Sequence, residues 1–235
     1  MTKVIGHRGA RGLAAENTLA AIEQALAAGV DAIEIDVRVT ADNIPVLVHN
    51  PAIESKGEKL LIARTSFAKL QQIMPGIITL EQAIRAVNKR SPMMVEVKPK
   101  VALEPIIAAI TKILQDGWQT QDFFLSSKSQ RTLMALHRAF PRLATVVIEP
   151  FLSVRAVWRA RQLNTKNIAM NQHFMWFGFV SAMNRRGYHL SAYTINDARK
   201  AERWSKRGLA AVITDHPDRM RSAFPTRKTE KTNAR

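Results

Sequence analysis

The chain has 235 residues, 46% of them apolar, which suits one large α/β domain or two small ones and argues against wholesale disorder. It has no cysteine, so disulfides, thiolate metal sites and a cysteine nucleophile are excluded, and no apolar run reaches the roughly 20 residues that span a bilayer. A net charge of +16 suits nucleic acid, an anionic membrane or a phosphorylated small substrate, and equally a merely solvated basic surface, without choosing among them.

Apolar, β-rich runs alternate with helical patterns along the whole chain. The first strand is expected at Val4–His7, where it breaks into glycines beside a titratable side chain. The first 20 residues lack the apolar core of a signal peptide, and a cytoplasmic protein is expected. A helix follows, capped by Asn17 or Thr18, with Leu19, Ile22 and Leu26 as its apolar stripe and Gly29 at its end. Strands are then expected at Ala32–Val37, Pro45–His49, Met93–Lys98, Phe123–Ser127, Thr145–Glu149, Asn167–Asn171, His189–Thr194 and Ala211–Thr214. Helices fall between them at Leu80–Asn88, Leu103–Gln115, Gln130–Phe140, Val154–Gln162, Phe177–Arg186 and Asp197–Arg207. One domain covers residues 1–222, and the polar, basic stretch 223–235 reads as a disordered tail.

Nine strands are one too many for an eight-stranded α/β barrel. The stretch "VRVTADNIPVLVH" joins two of them by a turn alone, whereas parallel neighbours need a long crossover. Pro45–His49 is therefore the returning arm of a hairpin above the barrel mouth. Counting along it brings His49 back to about the height of Asp36, beside the C-terminal strand ends where barrel enzymes keep their sites.

The candidate chemistry collects at that end. Glu34 and Asp36 lie two apart on one strand and share a face, and Glu96 is a third acid in an apolar run. Buried carboxylates repel one another and lose solvation unless a cation joins them. Three acids without cysteine describe an oxygen-rich site for Mg²⁺ or Ca²⁺, against the plainer reading that each is paired with a lysine or arginine. Arg8, next to His7, and Lys98, two residues beyond Glu96, suit an anionic oxygen ligand. Gly6, Gly9 and Gly12 are three apart and do not make a dinucleotide fingerprint; they mark a place where backbone and ligand come close. His137, His173, His189 and His216 are taken as structural or surface residues.

The motifs "HRGARGLAAENT", "AIEIDVRVTADNIPVLVHN", "MVEVK", "AYTIN" and "AAVITDHPD" resemble, in order and spacing, those of the glycerophosphodiester phosphodiesterases. The resemblance runs from Val4 to about Asp218. It implies a (β/α)8 TIM barrel of the phospholipase C-like phosphodiesterase type and hydrolysis of glycerophosphodiesters to glycerol 3-phosphate and an alcohol. A divalent metal, Mg²⁺ or Ca²⁺, would be held by Glu34, Asp36 and Glu96. His7 and His49 would be the acid-base pair, with Arg8, Lys98 and Tyr193 meeting the substrate. Four departures stand out: Asn50 in place of the family's aspartate, Ala15 in place of a proline, Tyr193 in place of a tryptophan, and a short "PAIESKGEKLLIARTSF" where the family carries a longer insertion.

The partner expected is a small-molecule phosphodiester, with peripheral association to anionic membrane and no specific nucleic acid. Two other classes compete. A lysophospholipase D-type enzyme would need an apolar approach, for which "NQHFMWFGFV" is the candidate, although aromatics at helical spacing belong more often to a core. A non-catalytic module binding anionic surfaces would explain the charge and leave the acids and histidines without purpose.

Overall fold

A computed structural model describes residues 1–55 and 57–225. Eleven strands are present: β1 (Lys3–Gly6), β2 (Ala32–Val39), β3 (Pro45–Leu47), β4 (Ala52–Ser55), β5 (Glu58–Leu61), β6 (Met93–Val97), β7 (Phe123–Ser127), β8 (Ala144–Glu149), β9 (Asn167–Asn171), β10 (His189–Tyr193) and β11 (Ala211–Thr214). Eight of them pair in parallel around a closed ring, β1-β2-β6-β7-β8-β9-β10-β11 and back to β1. The chain is a TIM barrel. Its ninth strand, β3, runs antiparallel to the top of β2, with Val37 opposite Leu47. Val48 N donates to the Asp36 carbonyl at 3.1 Å, so the hairpin does bring His49 back beside the mouth.

Among the described residues nine α-helices accompany the strands: α1 (Leu19–Ala27), α2 (Phe67–Ile73), α3 (Leu80–Val87), α4 (Glu104–Gln115), α5 (Gln130–Ala139), α6 (Ser153–Gln162), α7 (Phe177–Arg185), α8 (Ala198–Ser205) and α9 (Pro217–Ala223). The β4–β5 hairpin, α2 and α9 were not foreseen: each is short, and none shows a repeat long enough to stand out in the sequence. Helix α9 reaches Ala223 and Phe224 is buried behind it, two residues past the expected domain boundary, while 226–235 of the expected tail lie outside the described residues.

Alternation along the strands builds two apolar layers. Ile33, Ile35 and Val37 of β2 and Met93, Val95 and Val97 of β6 point outward and pack under α1, α3 and α4. Ile5, Ala32, Met94, Val146, Ile148, Ala169 and Ile213 point inward and fill the lower barrel. The inward positions one step higher, Glu34, Asp36 and Glu96, are charged. Apolar side chains thus fill the middle of the barrel, and the chemistry stands above them at the C-terminal mouth.

Helix α1 corrects the expected stripe. Ala21, Ile22 and Ala25 are its buried residues, whereas Leu19 is 44% exposed, because small side chains let the helix sit close against the turn at Gly9. Thr18 is the cap, its Oγ1 accepting from Ala21 N at 3.3 Å, which leaves Asn17 free for another task. Phe123, fully buried at the base of β7 beside Trp118, shows how much the outer layer contributes. Phe123→Ala is expected to destabilise the fold by about 3–5 kcal/mol, through lost burial plus the cavity left behind. Urea unfolding would check it, and a loss below about 1 kcal/mol would mean that the layer collapses into the gap.

Candidate active site

The C-terminal mouth holds a cavity of about 150 Å³ lined by His7, Arg8, Glu34, His49, Glu96, Lys128 and Tyr193, with Met94, Ile148 and Ala169 beneath them. Glu34 and Asp36 share the inner face of β2, and register places Asp36 opposite Glu96 of β6. Carboxylate oxygens of all three lie within 4.8 Å of one another.

The cations are arranged around this triad. Lys98 Nζ sits 2.5 Å from Asp36 and 2.6 Å from Glu96, and Arg8 Nε lies 3.0 Å from Asp36. Burial alone would raise the Asp36 carboxyl, but Lys98 and Arg8 hold it below its ordinary value. Glu34 goes the other way: burial, then the charges of Asp36 and Glu96, push its carboxyl well above the usual range. Its Oε2 accepts the Arg8 backbone N–H at 2.9 Å, and its Oε1 is buried without a partner among the described residues. An orphaned, buried carboxylate oxygen beside two further carboxylates fits a hard divalent cation. Lys98, expected to meet the substrate, is 2% exposed and stands between Asp36 and Glu96 instead of lining the cavity.

The "ENT" triplet explains how the loop after β1 is held. Glu16 grips Arg8 with both oxygens at 2.8 Å, Asn17 clamps Asp36 by two 3.1 Å hydrogen bonds, and Thr18 caps α1. The glycines of this loop are required by the protein's own packing. A Cβ at Gly6 would meet the Gly9 carbonyl at 2.3 Å, one at Gly9 the Ala21 backbone at 2.6 Å, and one at Gly12 the His216 ring at 2.3 Å. Close packing of loop, helix and the turn after β11 thus requires glycine at each position.

The two histidines have different partners. Strand register sets Gly6 beside Thr214, so the next residues meet: His7 Nδ1 lies 2.6 Å from Asp215 Oδ1, leaving Nε2 for the cavity. Burial would raise Asp215, but hydrogen bonds from His7 and from Asn196 hold it down at about 2. His49 Nδ1 lies 2.9 Å from Asn50 Oδ1, an amide oxygen that can only accept. Burial first, then the Lys98 cation, lowers the His49 pKa below its ordinary value. Tyr193 has its hydroxyl pushed well upward by burial and by Glu96, and that hydroxyl has no partner among the described residues. It is a standing donor at the cavity wall.

Sequence reasoning gave no role to Asp215 and Asn196, although both lie in quoted motifs; the closure of β11 on β1 brings Asp215 to His7, and Asn196 donates to Asp215 Oδ2. Lys128, at the end of β7, lines the cavity 3.7 Å from Glu96 and was also missed.

Inward acids, two histidines and several cations at the C-terminal mouth define a barrel enzyme acting on an anionic, oxygen-rich substrate. Residues 7–219 match the glycerophosphoryl diester phosphodiesterase family. The chain belongs to that family and is a phosphodiesterase. A phosphodiesterase of Oleispira antarctica, solved with its product sn-glycerol-3-phosphate, superposes with a TM-score of 0.86 at 30% identity, over 96% of this chain and 98% of that one. A glycerophosphodiester phosphodiesterase of Bacillus altitudinis is 26% identical over 93% of this chain and 96% of its own length. The glycerophosphodiester phosphodiesterase of Thermotoga maritima shares the fold, with a TM-score of 0.76 and 22% identity over 94% of this chain and 98% of that one.

Proposed function

We propose that this enzyme hydrolyses glycerophosphodiesters to glycerol 3-phosphate and an alcohol, using His49 as first proton acceptor and His7 as first donor. The observation that carries the assignment is the unlike partnering of the two rings. An amide oxygen on His49 Nδ1 favours the tautomer with its proton there, which leaves the Nε2 lone pair free, and the lowered pKa keeps that ring neutral at neutral pH. A carboxylate on His7 Nδ1 orients that ring, with Nε2 turned to the cavity.

In the first step a glycerol hydroxyl of the substrate gives its proton to His49 and its oxygen attacks phosphorus. The bond from phosphorus to the departing alcohol breaks, and that oxygen takes a proton from His7. The histidines exchange roles when water opens the resulting cyclic phosphate. Arg8, with its guanidinium fixed by Glu16, faces the phosphoryl charge, and Tyr193 donates from the wall. A Mg²⁺ or Ca²⁺ ion held by Glu34, Asp36 and Glu96 would neutralise charge building on the phosphoryl oxygens. The cysteine-free composition supports a cytoplasmic setting, and the net positive charge supports association with anionic membrane; among the described residues no helix is long and apolar enough to cross one.

Assay of glycerophosphodiesters differing in alcohol, with enzymatic detection of glycerol 3-phosphate and each metal in turn, tests the reaction. Release of phosphate-bearing alcohol and free glycerol in its place would overturn the assigned bond. Asp215→Asn is expected to lower kcat by about 10² or more with little change in KM, because His7 loses the carboxylate that orients its ring.

A further inference from the structure

Seven of the eleven large apolar side chains exposed among the described residues fall between Phe151 and Phe177. They are not scattered. Phe151 and Leu152 lie in the loop from β8 to α6, Val154 in the first turn of α6, and Phe174 and Trp176 in the loop from β9 to α7. Phe151 and Phe174 join the two loops edge to face, with ring centroids 5.3 Å apart, while both remain about half exposed at 55% and 46%. Thus the stretch "NQHFMWFGFV" divides: Met175, Phe179 and Val180 enter the core, and Phe174, Trp176 and Phe177 face solvent.

These loops leave the C-terminal ends of β8 and β9, so the apolar ridge stands on the rim of the active-site mouth. In a ring of eight, β8 and β9 stand across from β1 and β2, which carry His7, Glu34 and Asp36. The ridge therefore faces the acids across the mouth, with Ile148 and Ala169 of the cavity floor between them. The rim is basic as well as apolar. No aspartate or glutamate stands between Glu149 and Asp197. Lys128, Arg131 and Arg199 are exposed on the loops and first turns flanking the ridge, while Arg155 is paired with Glu149 at 2.6 Å and the Asp197 carboxylate caps α8. Aromatic side chains ringed by cations match the boundary of an anionic bilayer, where rings enter the headgroup layer and cations meet phosphate.

We propose that the β8–α6 and β9–α7 loops dock the barrel mouth on an anionic lipid surface, so that the enzyme takes a lipid-borne glycerophosphodiester directly from it. This rests on the phosphodiesterase reading for what is delivered to the site, but the docking is measured without turnover. The full chain is sedimented with vesicles of phosphatidylcholine alone and of phosphatidylcholine mixed with phosphatidylglycerol. The wild type is expected to bind the mixed vesicles at least about tenfold more tightly than the neutral ones. The double variant Phe151→Ser, Phe174→Ser, and separately Val154→Asp at a position 82% exposed, should each lose at least about tenfold of that binding. Their hydrolysis of a water-soluble glycerophosphodiester should be unchanged, which also reports that they fold. Vesicle binding by both variants equal to wild type would overturn the proposal, leaving general charge attraction. A wild-type dimer that either variant converts to monomer would also overturn it, by assigning the ridge to a second copy. Absence of soluble-diester hydrolysis in the wild type would instead overturn the phosphodiesterase reading, whatever the vesicles show.

Discussion

Replacing His7 or His49 by alanine is expected to lower kcat on a glycerophosphodiester with an alkyl leaving group by a factor of about 10² or more in each case, the usual size of a general acid-base contribution. The two rings serve one proton transfer, so the double variant should lose far less than the product of the single losses. A nitrophenyl ester separates their tasks. Its leaving oxygen needs no proton, so the variant lacking the donor should recover most of its rate on that ester and the variant lacking the acceptor should not. With His49 neutral and His7 bound to Asp215, recovery is expected in His7→Ala. Recovery in His49→Ala alone would reverse the assignment, and near-normal turnover of either variant on the alkyl ester would remove that histidine from the chemistry.

Removal of divalent metal is expected to cost on the order of 10³ or more in kcat, since neutralising phosphoryl charge is worth several kcal/mol. Stability gives a readout independent of turnover. Glu34 has its folded pKa raised, mainly by burial and then by Asp36 and Glu96. A group of this kind stabilises the fold fully below its unfolded value, near 4.5, and that stability is lost as pH rises through the raised folded value. Metal-free protein should therefore lose Tm as pH climbs above about 5, relative to Glu34→Gln, which carries no titrating group there. Added Mg²⁺ or Ca²⁺ should raise the wild-type Tm, most at high pH, by linkage of about 2.7 kcal/mol at a hundredfold excess over Kd. The same additions should leave Glu34→Gln largely unmoved. Full turnover in thoroughly chelated wild type, or equal metal response of the two proteins, would sink the metal assignment.

What the sequence determined by itself was the pattern: strands at βα spacing, one strand too many for the ring, and acids at the positions of β2 and β6 that alternation turns inward. Those are local properties, fixed by period and by the shortness of a turn, and the hairpin that returns His49 beside Asp36 followed from counting residues alone. The site's partners were decided by closure. Asp215 reaches His7 only because β11 pairs with β1 across 208 residues of chain, and Lys98 fell between Asp36 and Glu96 because the register of β6 on β2 put those acids side by side. The glycines of the first loop show the same division. Their spacing was visible, but whether a ligand or a helix fills the space beside them depends on where α1 and His216 pack. The exposed ridge was likewise undecidable along the chain. One run of aromatics supplies both core and surface, and only the wrapping of α6 and α7 around the barrel sorts Phe179 inward and Phe174 to the rim.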